Sequence, residues 1–337
     1  MSFVKRARQI LSQNAIYFIL LALIIVIAFI SPDFLSWRCF RDILLQSSTR
    51  AIIALGMSLV LITGGVDLSA GRAVGLAAVV SASMLQTADY ARRFFPELPQ
   101  LPLIVPILIA MAITLLFGII NGVAISRLNL PPFIATLGSM VIIYGANSLY
   151  FNMPPNNSQP IGGLRSDFTN LGTGYIGISG EYSIPYILII ALIVALVVWV
   201  LLNKTALGKS IYAVGGNVNA ARVSGINVSK VLIFVYAFAG LLYGLAGVLE
   251  AARTGGATNN YGNMYELDAI AACVVGGVST TGGIGTVPGV LAGVLIFGVI
   301  NYGLTFIGVD PYWQLIIKGL IIGVAVALDI RKYLAKR

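Results

Sequence analysis

Histidine is absent, cysteine occurs twice, and Asp, Glu, Lys and Arg together make up only 10% of the 337 residues. Without histidine there is no His-based triad, no His-ligated zinc and no usual general base for chemistry at neutral pH. Cys39 and Cys273 stand far apart and form no CxxC, so neither a zinc site nor a redox pair is readable; a disulfide between them is a formal possibility only. A soluble domain carries about 25% charged residues. A chain that is 58% hydrophobic lacks the polar surface to cover the two soluble domains its length would suggest. The same apolar abundance excludes disorder. The bilayer is the solvent that fits this composition.

What is present is a series of apolar runs. A membrane-spanning helix needs about 20 mainly apolar residues, and ten stretches approach this: 15–30, 43–62, 70–87, 103–126, 132–151, 184–202, 230–251, 266–278, 286–307 and 313–330. The stretch 266–278 is too short for a straight crossing and opens with Glu266 and Asp268, so it reads as a broken or partly re-entrant segment. Lys5, Arg6 and Arg8 precede the first run, but no small-residue cleavage pattern follows, so it reads as an uncleaved span.

The net charge of +9 does not mark a nucleic-acid binder, because the basic residues sit between apolar runs instead of forming one stripe. It reads as an orientation signal. With the N-terminus in the cytoplasm, the inner segments hold twelve Lys/Arg: Lys5, Arg6, Arg8, Arg127, Lys204, Lys209, Arg222, Lys230, Arg331, Lys332, Lys336 and Arg337. The outer segments hold seven: Arg38, Arg41, Arg50, Arg92, Arg93, Arg165 and Arg253. This bias favours ten spans with both termini cytoplasmic. Two loops are long, 152–183 outside and 203–229 inside; the remainder forms one polytopic domain over 1–337 without a soluble catalytic unit.

An internal repeat is visible. Phe117-Gly118-Ile119-Ile120-Asn121 recurs as Phe297-Gly298-Val299-Ile300-Asn301, followed at the same offset by Pro131 and Pro311 and by Phe133 and Trp313. Thr63-Gly64-Gly65 leads to Leu76-Ala77-Ala78-Val79-Val80 much as Thr254-Gly255-Gly256 leads to Ile270-Ala271-Ala272-Cys273-Val274. Spans two to five thus match spans seven to ten. The odd separation of five spans makes the copies face opposite ways, an inverted repeat of the kind transporters use. Asn121 and Asn301 then lie within spans, where a buried amide either lines a substrate path or bonds helix to helix. Gly240-xxx-Gly244, Gly285-xxx-Gly289-xxx-Gly293 and Gly319-xxx-Gly323 allow close backbone approach.

Several motifs fail. Gly208-Lys209-Ser210 ends like a phosphate-binding loop, but Asn203 stands where the earlier glycine belongs and an apolar span precedes it. Gly283-Ile284-Gly285 meets Pro288 where a dinucleotide fingerprint needs a small residue. Asp67, Ser69 and Arg72 fit a helix start, with Asp67 or Ser69 as cap, better than a catalytic cluster. Glu266 and Asp268, two apart on a helix, point to different sides and form no acid/base pair. The stretch from Asn203 to Gly225 fits a short helix through Ala220, Ala221 and Arg222, capped by Asn217 or Asn219 and ended by Gly225. Such a helix has little to bury by itself and suits a soluble partner.

Three sets of residues carry a resemblance. They are Thr63-Gly64-Gly65-Val66-Asp67-Leu68-Ser69-Ala70-Gly71, Gly215-Gly216-Asn217 followed by Ala220-Ala221-Arg222-Val223-Ser224-Gly225, and Gly276-Gly277 through Gly282-Gly283-Ile284-Gly285. In these the chain resembles the permease subunits of ABC sugar importers of the ribose/galactose class. Tyr265-Glu266-Leu267-Asp268-Ala269 and Pro311-Tyr312-Trp313-Gln314 are most similar to its galactose/methyl-galactoside branch. The resemblance implies an all-α membrane permease and a homodimer in the lipid bilayer. It implies a separate cytoplasmic ATP-binding subunit that holds ATP and Mg, a periplasmic or lipoprotein sugar-binding protein outside, and no cofactor or metal on this chain. It further implies ATPase coupling through Gly215, Asn217, Ala220, Ala221, Arg222, Ser224 and Gly225. Candidates for the sugar path are Asp67, Ser69, Asn121, Glu266, Asp268 and Asn301. A stand-alone secondary transporter of a small polar solute is the alternative; it would use Asp67, Glu250, Glu266 or Asp268 for its coupling ion.

Overall fold

The structure, a computed structural model, describes residues 15–177 and 183–334. Lys5, Arg6, Arg8, Glu181, Lys336 and Arg337 lie outside the described residues. Thirteen α-helices make up the described chain. In order they are α1 (Ala15–Ile30), α2 (Trp37–Ile62), α3 (Ala70–Met84), α4 (Ile104–Arg127), α5 (Pro132–Phe151), α6 (Ser166–Thr173) and α7 (Tyr186–Lys204). Then come α8 (Ala206–Gly216), α9 (Val218–Val223), α10 (Val228–Thr254), α11 (Tyr265–Val275), α12 (Val287–Phe306) and α13 (Pro311–Leu334). Two short antiparallel strands, β1 (Tyr175–Ile176) and β2 (Ile184–Pro185), lie in the 152–183 region and just beyond it. Among the described helices six are long and apolar enough to cross a membrane: α2, α4, α5, α7, α10 and α12.

Burial separates centre from periphery. The apolar windows of α2 and α10 are 78% and 61% buried, those of α4 and α5 only 28% and 22%. A helix apolar all round and buried all round belongs to a core, and α2 is such a helix from Ala51 to Ile62. Ser36 opens it by accepting the Cys39 amide at 3.3 Å. In α4, α5 and α7 the large apolar side chains, such as Leu116, Ile142 and Leu196, face outward. That is costly in water and natural in lipid.

The central pair is antiparallel. Thr49 bonds Glu250, while Gly56, further along α2, meets Tyr243 and Ala239, earlier on α10. Each central helix carries two flanking helices: α10 packs α3 and α4, and α2 packs α11 and α12. The flanking helices pair in turn, α3 with α4 and α11 with α12, while α5 rests on α3 and α13 on α11. Small residues set these distances. A Cβ on Gly118 would collide with the Tyr236 carbonyl, and one on Gly240 with that of Thr114. Gly289 and Gly293 seat α12 against Gly276 and Ala272 in the same way, whereas Gly319 and Gly323 meet nothing among the described residues.

Two helices are shorter than the apolar runs predict. Residues 70–87 read as a full span, yet α3 has 15 residues, and α11 has 11. At 1.5 Å per residue these reach about 22 and 16 Å, short of the ~30 Å hydrocarbon layer. The segments before them are irregular. After α2 the chain turns at Gly64 (φ +78°) and runs through Val66, whose carbonyl takes the Tyr236 hydroxyl at 3.3 Å. After α10 it turns at Gly255 (φ +71°) and returns through Gly262 (φ +77°). The segment before α11 lies against α3: a Cβ on Gly71 would collide with the Gly262 carbonyl, and one on Gly75 with that of Tyr261. Irregular backbone at membrane depth is tolerated where protein buries it.

Candidate functional site

Five charges of alternating sign cross the molecule. Arg253 pairs with Glu250 at 2.8 Å, and Glu250 also accepts Thr49 at 2.9 Å and the Tyr265 hydroxyl at 3.1 Å. The Arg50 guanidinium lies 3.2 Å from the Tyr265 ring centroid and pairs with Asp268 at 3.2 Å. Lys318 reaches the same Asp268 oxygen at 3.5 Å. The chain of charge thereby ties α10, α2, α11 and α13 together. Ionisable groups in a bilayer are expensive unless paired or solvated, and each of these five has an opposite partner.

Beside Arg50, Asp268 and Lys318 lies a polar cavity of about 140 Å³, lined also by Ser47, Asn301 and Gln314. Ser47 Oγ and Asn301 Oδ1 are buried there with no hydrogen-bond partner. Of the sequence-predicted path residues, the structure thus brings Asp268 and Asn301 together. It adds Ser47, Arg50 and Lys318, which the sequence reading had not joined to them. Arg50, counted from sequence with the outer segments, instead lies well inside α2, which runs from Trp37 to Ile62.

Asp67, Ser69 and Asn121 gather elsewhere. Asp67 Oδ1 accepts both the amide (2.9 Å) and the hydroxyl (2.5 Å) of Ser69. Asn121 donates to Ser69 Oγ at 3.1 Å and accepts from Ser139. This closed set joins α4, α5 and the start of α3. Asp67 thus shapes the turn entering α3; the Ser69 side chain makes no cap bond. Glu266 points away from Asp268, as the two-residue spacing requires. Its side chain lies against Gly71. Arg72 lies over the Tyr144 ring at 4.3 Å and donates to Asn263 at 2.7 Å.

The segment 206–225 forms two short helices. Thr205 caps α8 through the Gly208 amide at 3.0 Å, and Asn217 caps α9 through the Ala220 amide at 2.9 Å. Gly225 leaves α9 at φ +82°, and Asn219 has no part in the cap. In α9 and its exit Ala221 is buried, while Ala220, Arg222, Val223 and Ser224 are exposed, Val223 at 91%. Gly215 sits so close to the Ile62 carbonyl that a Cβ would collide with it, and Gly283 donates to that same carbonyl at 2.8 Å. The Tyr212 hydroxyl donates to the Gly285 carbonyl at 2.8 Å, and burial pushes its pKa upward, which keeps it a donor. Helix α8, which leads into the exposed α9, is therefore fastened to the end of α2 and to the glycine-rich turn after α11. Among the described residues no three His, Cys, Asp or Glu side chains gather as a metal site.

Comparison with known proteins places this architecture. Residues 40–326 match the family model described as branched-chain amino acid transport system / permease component. The chain belongs to this permease family. Its relatives within it are sugar permeases by name. The permease is 55% identical to the galactose/methyl galactoside import permease protein MglC of Haemophilus influenzae, over 98% of this chain and 97% of that one. Identity to MglC of Escherichia coli K12 is 54%, over 97% and 96% of the two chains. The ribose import permease protein RbsC of Escherichia coli K12 is 39% identical over 93% of this chain and 92% of its own. No solved structure matches the chain. With its apolar helices the permease is a protein of the cell membrane.

Two kinds of signal separate the residues the sequence reading found from those it missed. Asp268, Asn301 and Asn121 stand out as polar residues inside apolar runs. Ser47, Arg50 and Lys318 lie near the ends of such runs, and only the helix packing joins them to Asp268.

Proposed function

We propose that this permease is the membrane-spanning half of an ATP-driven importer that carries galactose or a methyl galactoside into the cytoplasm. The observation that carries this is the 54–55% identity to galactose/methyl galactoside permeases over 97–98% of the chain, against 39% for a ribose permease. ATP and Mg bind a separate cytoplasmic subunit. A periplasmic or lipoprotein sugar-binding protein delivers the sugar outside, and two copies of the permease form the working pair. Gly319 and Gly323, which leave room beside α13, are compatible with a second helix there.

In this reading the chain crosses the membrane ten times, with both termini in the cytoplasm and an inverted repeat relating α2–α5 to α10–α13. The exchanged packing supports the repeat: each central helix carries the flanking helices of the other half. Counting Arg50 within the span 43–62 leaves twelve inner Lys/Arg against six outer ones, which strengthens the orientation argument.

The 203–229 loop is the coupling element of a single polytopic domain. Its exposed α9 meets the ATPase through Ala220, Arg222 and Ser224. Asn217 and Gly225 fix the ends of the helix, and Ala221 seats it. Gly215 passes its displacement to Ile62, and Tyr212 to Gly285. From there it travels along α2 to Arg50 and along α11 to Asp268. The access change of the path, with Asp268 and Asn301 as its polar residues, follows from these two helices moving against each other. Uptake of radiolabelled D-galactose in cells that lack their own galactose import, expressing the three subunits, tests the substrate. Competition by methyl galactoside and not by ribose supports it; equal competition by ribose contradicts it.

A further inference from the structure

We infer that the cavity between α2, α11, α12 and α13 is a binding subsite for one neutral monosaccharide inside each chain, with Ser47 and Asn301 as its uncommitted polar contacts. The inference rests on the import reading above and adds a site to it. The cavity is built and not merely left over. A Cβ at Gly298 would collide with Ser47 Oγ, so the glycine leaves room for that hydroxyl. Ser47 is 96% buried, its exposure being 4%, and its oxygen has no partner. Asn301 Oδ1 is in the same condition. A buried unpaired polar group costs free energy that a bound polar molecule recovers.

The chemistry of the lining selects the ligand class. Asp268 is already held by both Arg50 and Lys318, so the local charge is one positive in excess. A cation is repelled there. An anion would suit the two cations but would set its oxygen against the lone pairs of Asn301 Oδ1. A hydroxyl group both donates and accepts: it can give its proton to Asn301 and take one from an N–H of Arg50 or Lys318. A ring bearing several hydroxyls satisfies both kinds of wall at once. The volume of about 140 Å³ is far more than one water needs.

The test uses the purified full chain in lipid nanodiscs and radiolabelled D-galactose. The expected result is saturable binding of one sugar per chain, displaced by unlabelled methyl galactoside and not by inorganic phosphate. S47A and N301A should each weaken it roughly fivefold, the loss of one neutral hydrogen bond, with an unchanged unfolding midpoint. As a second measurement, S47C in a chain carrying C39S and C273A is treated with a small methanethiosulfonate, and D-galactose should slow the modification. Absence of saturable binding, binding indifferent to both substitutions, displacement by phosphate, or no protection of S47C overturns the subsite. The two readings fail separately. Galactose uptake by the complete importer that both variants leave intact, with no binding to the chain, removes the subsite alone; absence of galactose uptake by the complete importer removes the import reading.

Discussion

Asn121 and Asn301 occupy the same place in a repeated pentapeptide and end in opposite conditions. Asn121 is 1% exposed and bonds Ser69 and Ser139, so its amide joins three helices. Asn301 faces a cavity with its carbonyl oxygen unpartnered. Interhelical side-chain bonds in membranes are worth about 0.6 kcal/mol on average and up to about 1.7. Asn121→Ala should therefore destabilise the permease by about 1–2 kcal/mol, read as a lower midpoint in denaturation from mixed micelles, while galactose affinity stays unchanged. A variant as stable as the parent would show that the amide is idle. The presence of both amides was legible in the sequence, because polar residues inside apolar runs stand out. Their separate conditions were not, since the partners come from elsewhere: Ser139 from α5 and Ser69 from the turn before α3. Arg50 was hidden in the same way. It stands inside the run 43–62, and its partners, Asp268 and the Tyr265 ring, come from α11.

At the scale of elements, helix types and most positions were legible, because an apolar run of span length has few alternatives in a bilayer. The ends were less so. The run 70–87 continues in composition beyond the point where α3 stops at Met84. The stop of α11 at Val275 follows from the glycines that come next; Gly277, Gly282 and Gly283 all hold positive φ. The segment 206–225 was the most legible of all: asparagine cap, short helix and terminal glycine fell where local capping rules put them. It also yields the clearest prediction. Gly215→Val places a branched side chain against the Ile62 carbonyl and should detach α8 from α2. Arg222→Ala removes an exposed contact without disturbing the permease. Both should leave the protein inserted and the ATPase active while sugar uptake falls at least tenfold. In both, the measured ratio of ATP hydrolysed to sugar accumulated should rise. Normal uptake in the two variants would remove the docking assignment.

At the scale of the whole molecule, scarcity of charge does two things. It commits the chain to the membrane, and it makes each intramembrane charge informative, because none is there for solubility. Arg253, Glu250, Arg50, Asp268 and Lys318 form one alternating line joining both halves of the proposed repeat. Breaking one member leaves an unpaired charge, which is far costlier than replacing a pair. Asp268→Asn should accordingly reduce both folded yield and transport, whereas D268N combined with K318Q should recover part of the yield; no recovery would show that the two charges are independent.

Galactose movement by this permease should depend on ATP held by another subunit. Proteoliposomes containing the permease, its ATPase and the sugar-binding protein, supplied with radiolabelled D-galactose, test it most directly. Accumulation should require both ATP and the binding protein and should be absent with the permease alone. Accumulation driven by an ion gradient without ATP would contradict the claim.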